Sequence, residues 1–167
     1  MVAVGAFAQG AVNFSSRVVG VYDAPVSMTG GGKLDGVGFM SQLYAGSTAG
    51  SLAAVGAAVP FRTGAAAGYW TAQARTIPAS AIAADGNSQL QVRAWAVAAG
   101  ATYDAASASG SGFGSSNIIG VKPTNAPDVP ATLVGLTSFS ISATVPEPST
   151  LALGALGGLA LLLRRRK

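Results

Sequence analysis

The chain has 167 residues, of which 10% are charged, with 23 glycines, no histidine and no cysteine. Soluble domains average about 25% charged residues, so the composition fits a secreted, small-residue-rich β protein. It also excludes disulfide staples, thiolate chemistry and any Ser-His-Asp or Cys-His catalytic site. The net charge of +4 resides at one end. Before Val145, the bases Arg17, Lys33, Arg62, Arg75, Arg93 and Lys122 face the acids Asp23, Asp35, Asp85, Asp104 and Asp128. That near-neutral body has no basic run, so no nucleic-acid partner is expected.

In chain order, Ala6-Phe7-Ala8 matches a signal-peptidase site, with Ala6 and Ala8 as its small residues. The apolar stretch ahead of it is short and lacks a positive flank. Residues 1–8 therefore read as the remnant of a signal peptide whose start lies upstream. From residue 9 to residue 143 the chain reads as β. Alternation runs through Ala11–Ser15, Val18–Tyr22, Val37–Tyr44 and Leu90–Val97. In the last of these, Leu90, Val92, Ala94 and Ala96 share one face and Gln91, Arg93, Trp95 and Val97 the other. Val55–Phe61, Tyr69–Ile77 and Asn117–Val121 are weaker strand candidates. Leu133–Ala143 alternates as a final strand.

Turn chemistry divides these runs. Thr29–Lys33 and Ala45–Gly50 read as connections, and Asp85-Gly86-Asn87 as a tight turn. Ala79–Ala84 has the composition of a short helical turn. Ser107–Ser116, nearly all Gly, Ser and Ala, reads as a loop. Pro123, Pro127 and Pro130 lead into the last strand, since proline resists helix and central-strand pairing. Short strands at this spacing predict an all-β fold: a single β-sandwich or jelly-roll-like domain.

The tail has three parts in order. Val145-Pro146-Glu147-Pro148-Ser149 holds two prolines, which keep a segment extended for a protease-like partner. Residues 150–163 are uncharged and form the predicted single transmembrane helix, which satisfies its own backbone in lipid. Arg164-Arg165-Arg166-Lys167 is a basic cluster that stays cytoplasmic. From Ser149 to Leu163 such a helix reaches about 22 Å, short of a hydrocarbon core about 30 Å thick. That shortfall suits a temporary anchor.

The ordered tail, residues 145–167, resembles the PEP-CTERM sorting signal of bacterial exosortase substrates. The resemblance rests on Val145, Pro146, Glu147, Pro148 and Ser149, the apolar run, and Arg164, Arg165, Arg166 and Lys167. It implies that a membrane cysteine transpeptidase, the exosortase, is the partner and cuts near Pro-Glu-Pro. It also implies a precursor held transiently in the inner membrane of a Gram-negative-type bacterium, then a cell-surface or matrix protein associated with exopolysaccharide and biofilm. The catalytic residues would then belong to the exosortase.

Within the body no catalytic residue, metal site or cofactor is expected. The aspartates are scattered, and no Asp-x-Asp-x-Asp-Gly loop occurs. Gly110-Ser111-Gly112-Phe113-Gly114 lacks the spacing of a dinucleotide loop. A non-enzymatic structural or adhesive role is expected. One alternative is an exopolysaccharide-binding module in which Tyr69, Trp70, Trp95 and Tyr103 form a sugar-stacking platform. A hydrolase with an aspartate site is a remoter one.

Overall fold

The computed structural model describes residues 9–143. The proposed signal-peptide remnant and the tail, with its predicted transmembrane helix, lie outside the described residues. Among those described, no helix is long and apolar enough to cross a membrane.

The body is built mostly of strands in several sheets. In chain order these are β1 (Gly10–Phe14), β2 (Arg17–Val18), β3 (Tyr22–Asp23), β4 (Val26–Met28), β5 (Phe39–Gly46), β6 (Ala53–Pro60) and β7 (Gln73–Ile77). They continue with β8 (Ser88–Ala96), helix α1 (Tyr103–Ala108), β9 (Phe113–Ser115), β10 (Ile119–Val121), β11 (Ala131–Thr132) and β12 (Phe139–Ile141). The largest sheet runs β10-β8-β5-β6, with β9 also paired to β8. A second sheet runs β11-β1-β7, and two short pairs, β12-β4 and β2-β3, complete the set.

Strand β8 shows why the large sheet forms. Its burial alternates from Ser88 through Ala94, placing Leu90, Val92, Ala94 and Ala96 inside. Side chains two apart share a face of a pleated strand, so this sequence can bury one whole side. Val12 and Phe14 of β1 and Ile77 of β7 join Leu43, Leu90 and Val92 in one buried cluster. The two larger sheets thus contribute to a single core.

A bulge couples those sheets. The β5–β6 register shifts between Ser41 and Leu43, which face Val59 and Val55. Gly56 lies within the shift at φ +67°, a conformation that favours glycine. A Cβ there would also stand 2.9 Å from Arg75 Cδ. Arg75, on β7, donates from Nη2 to Ala57 O of β6 at 2.7 Å. The missing side chain makes room for a cross-sheet hydrogen bond.

Several local expectations need correction. Val18–Tyr22 is not one strand, because a turn with Val21 N donating to Val18 O at 3.0 Å splits it into β2 and β3. Strand β5 starts at Phe39, since Gly36–Gly38 is a 3-10 turn, and extends to Gly46. Ser107–Ser116 is not simply a loop. Helix α1 occupies its beginning and β9 its end. Thr102 caps α1 by accepting from Ala105 N at 3.2 Å, and Asp104 sits in its first turn, where a negative charge suits the helix dipole.

The final alternating run also breaks. Leu136 N donates to Leu133 O at 3.1 Å, forming a turn that buries both leucines, and only Phe139–Ile141 is a strand. By contrast, Ala79–Ala81 forms the short helical turn expected there. Asp85 closes its predicted turn by accepting from Asn87 N at 2.9 Å.

Candidate functional site

The aromatic residues singled out from the sequence fall into two separate groups. Trp70 is 3% exposed. Its ring centroid lies 4.9 Å from that of Phe14 and 5.7 Å from that of Phe61. Its indole N–H donates to Phe14 O at 3.3 Å. Trp95 is 2% exposed and meets Tyr103 edge-on at 6.4 Å. Tyr103 in turn packs on Phe113 at 5.8 Å and Tyr44 at 6.0 Å. The expected sugar platform of Tyr69, Trp70, Trp95 and Tyr103 is therefore corrected: both indoles are interior and the four rings make no common surface. Trp95 does lie on the β8 face opposite Leu90, but Tyr103 at the start of α1 packs against it there, and β9 pairs alongside β8 with Phe113 opposite Trp95.

Tyr69 has different surroundings. It is half-buried beside a cleft of about 370 Å³ lined by Ser15, Ser16, Arg17, Arg62, Tyr69 and Trp70, among others. Ser15 and Ser16 are buried. The turn at Ser15 is fixed by its hydroxyl, which donates to Arg17 O at 2.7 Å and accepts from Arg17 N at 3.2 Å. Tyr22 OH donates to Ser15 O at 2.9 Å, holding the β2–β3 hairpin against β1. Arg62 N donates to Tyr69 O at 2.8 Å beside the Phe61–Trp70 bridge. Arg17 and Lys33 approach the Tyr69 ring, at 5.9 and 5.0 Å from its centroid.

Among the described residues the acids do not gather into a metal-binding set. Arg17 Nε lies 3.9 Å from Asp23 Oδ2, with both side chains about half exposed. A hydrogen bond to the Asp23 carboxylate is the main cause raising the Tyr69 pKa. Desolvation and the Asp23 charge add to it, and the Arg17 charge opposes. Asp85 belongs to its turn, where hydrogen bonds from Asn87 lower its pKa. Among the described residues no group of three or more His, Cys, Asp or Glu is placed to hold a metal. Sequence reasoning missed that Arg17 and Arg62 line one cleft. They belong to separate segments, and no local pattern links them.

The other candidate residues flank the described body. Ala6 and Ala8 precede it. Val145, Pro146, Glu147, Pro148, Ser149 and Arg164, Arg165, Arg166 and Lys167 follow it. All lie outside the described residues. The body's last ties are well formed: Thr29 N and Oγ1 both donate to Ile141 O, at 2.8 and 2.9 Å. Ser142 N donates to Phe113 O at 3.0 Å. The proline motif begins three residues beyond Ser142.

The described residues form a β-rich body, and the candidate sorting residues follow it in the sequence. Comparison with known families places the PEP-CTERM protein-sorting motif at residues 144–167. The chain is thus a PEP-CTERM motif-bearing protein, and the motif points to export and processing through an exosortase. No curated protein and no solved structure matches the chain.

Proposed function

We propose that this protein is an exported surface or matrix protein whose residues 145–167 are read and cut by an exosortase. The body, residues 9–143, serves as a β-sandwich- or jelly-roll-like domain with a non-enzymatic, structural or adhesive role. Ala6 and Ala8 serve as a signal-peptidase site. Residues 150–163 hold the precursor transiently in the inner membrane, with Arg164–Lys167 on the cytoplasmic side. The observation that carries this reading is the sorting motif over residues 144–167. Its three parts each match a step: an extended proline segment for recognition, an apolar run for lipid and a basic stop.

The non-enzymatic role is supported by the absence of histidine and cysteine from the chain and by the separate structural engagements of Asp23 and Asp85. The platform form of the exopolysaccharide reading is dropped, because its two indoles are buried.

Mass spectrometry of the C-terminus, in cells with and without the exosortase, tests the sorting claim. The expected result is loss of the Arg164–Lys167 peptide from mature protein only when the exosortase is present. Mature protein that keeps this peptide in the presence of the exosortase would refute it. Replacing Glu147, the only glutamate in the chain, with alanine is expected to leave the precursor uncut.

A further inference from the structure

Three of the six bases in the near-neutral body gather around Tyr69. Arg17 and Lys33 approach its ring, while Arg62 is tied to its backbone and lines the same cleft. Among the described residues Asp23 is the one carboxylate within ion-pair distance of any of them. It is loosely paired with Arg17 at 3.9 Å. Among the described residues, Arg62 and Lys33 have no ion-pair partner. The neighbourhood therefore carries a local surplus of about two positive charges, concentrated beside a concave surface. A solvated arginine normally points into open water. Here two guanidinium-bearing residues converge on one cleft, backed by buried serines and Trp70.

We infer that this cleft binds the oxyanion group of a small ligand, a carboxylate, sulfate or phosphate, held between Arg17 and Arg62. A guanidinium presents its N–H donors in a planar fork that matches such oxygens bidentately. Trp70 and Ala66 give the cleft an apolar wall beside the two arginines. The volume of about 370 Å³ falls at the small end of ligand sites, which span about 300–1,000 Å³. Val19, 83% exposed at the hairpin tip, also lines the cleft. With Tyr69 it offers an apolar flank to whatever carries the anion. This inference is independent of the sorting proposal, because it concerns only the body.

The test uses the full-length, ¹⁵N-labelled protein in detergent, following the arginine Nε–Hε resonances. Sodium phosphate, sulfate, acetate and glucuronate are titrated at constant ionic strength, with glucose as the uncharged control. Saturable shifts at Arg17 and Arg62, with Arg93 unchanged, are expected for at least one anion. Arg62→Gln is expected to weaken that binding about ten-fold or more, the loss of a charged hydrogen bond, without lowering the melting temperature. Lys122→Gln is the control and should bind as the parent does. Tighter saturation by phosphate or sulfate assigns a free inorganic anion. Tighter saturation by glucuronate than by acetate assigns an acid on a sugar ring. Linear, unsaturable shifts with every anion, or unchanged affinity in Arg62→Gln, would overturn the inference.

Discussion

The Arg93 guanidinium carbon lies 4.1 Å from the centroid of the Tyr44 ring. The same cation is 4.9 Å from the Tyr103 ring, so one side chain of β8 joins β5 to the start of α1. Its Nε donates to Gln91 Oε1 at 2.9 Å, which fixes the plane of the fork. Cation–π contacts contribute about 0.5–2 kcal/mol depending on desolvation. Arg93→Ala is expected to destabilise the fold by about 1–2 kcal/mol, measured by urea denaturation. Arg93→Lys keeps the charge but loses the planar stack, and should recover only part of that loss. Equal stability of the alanine variant and the parent would show the contact to be idle.

Alkaline pH should weaken the fold. Burial is the main cause raising the pKa of both Tyr22 and Tyr44, with the Asp104 charge adding at Tyr44 and Arg93 opposing. The unfolded chain ionises its tyrosines near pH ~10, whereas the folded chain must hold these two neutral. The contribution is complete below that value and is lost as pH rises through the higher folded pKa values. Melting temperatures should be level on this account up to about pH 9 and fall beyond about pH 10. Tyr44→Phe should make the fall shallower. An identical alkaline limb in that variant would remove Tyr44 from the explanation.

Two glycines separate close packing from open space. A Cβ on Gly114 would run into Ser140 O and come within 2.9 Å of Ile141 Cα, both backbone atoms of β12. Gly114→Ala must push β9 and β12 apart, at about 1–3 kcal/mol. On Gly120 the nearest atom is the mobile Gln89 Nε2 at 3.6 Å. Gly120→Ala should be neutral or stabilising by up to about 1 kcal/mol, because alanine has fewer unfolded conformations to lose. Paired thermal melts check the contrast, and similar losses at both positions would contradict it.

The two indoles should respond differently to replacement. Trp70 donates to Phe14 O, while the buried Trp95 N–H has no partner among the described residues. Trp70→Phe and Trp95→Phe both remove volume, but only the first also leaves a carbonyl without its donor. Trp70→Phe is expected to cost about 1 kcal/mol more. Chemical denaturation of the two variants gives that difference directly, and the reverse order would contradict the assigned hydrogen bond.

These features differ in how plainly the amino-acid order announces them. Strand β8 was readable because its Leu90-to-Ala96 alternation coincides with its burial. The tail was readable because its proline, apolar and basic parts are contiguous. Helix α1 was hidden: its alanines and serines compose a loop as readily as a helix, and the decisive contribution is the Thr102 cap. The alternation of β8 puts Trp95 opposite Leu90, yet its burial depends on Tyr103 of α1, a helix that the composition does not announce. The Arg17–Arg62 cleft could not be read at all, since it exists only once the β2–β3 hairpin and the segment around Tyr69 come together.

The stitching at Ile141 and Ser142 has a mechanical consequence. Any pull transmitted from beyond residue 143 first meets the bonds that Ile141 accepts from Thr29 and that Ser142 donates to Phe113, two distant parts of the chain. Bonds that share a load must stretch together, whereas those in a peeling hairpin yield one at a time. Tension on the C-terminal side would therefore be spread into β4 and β9 before β12 is drawn out.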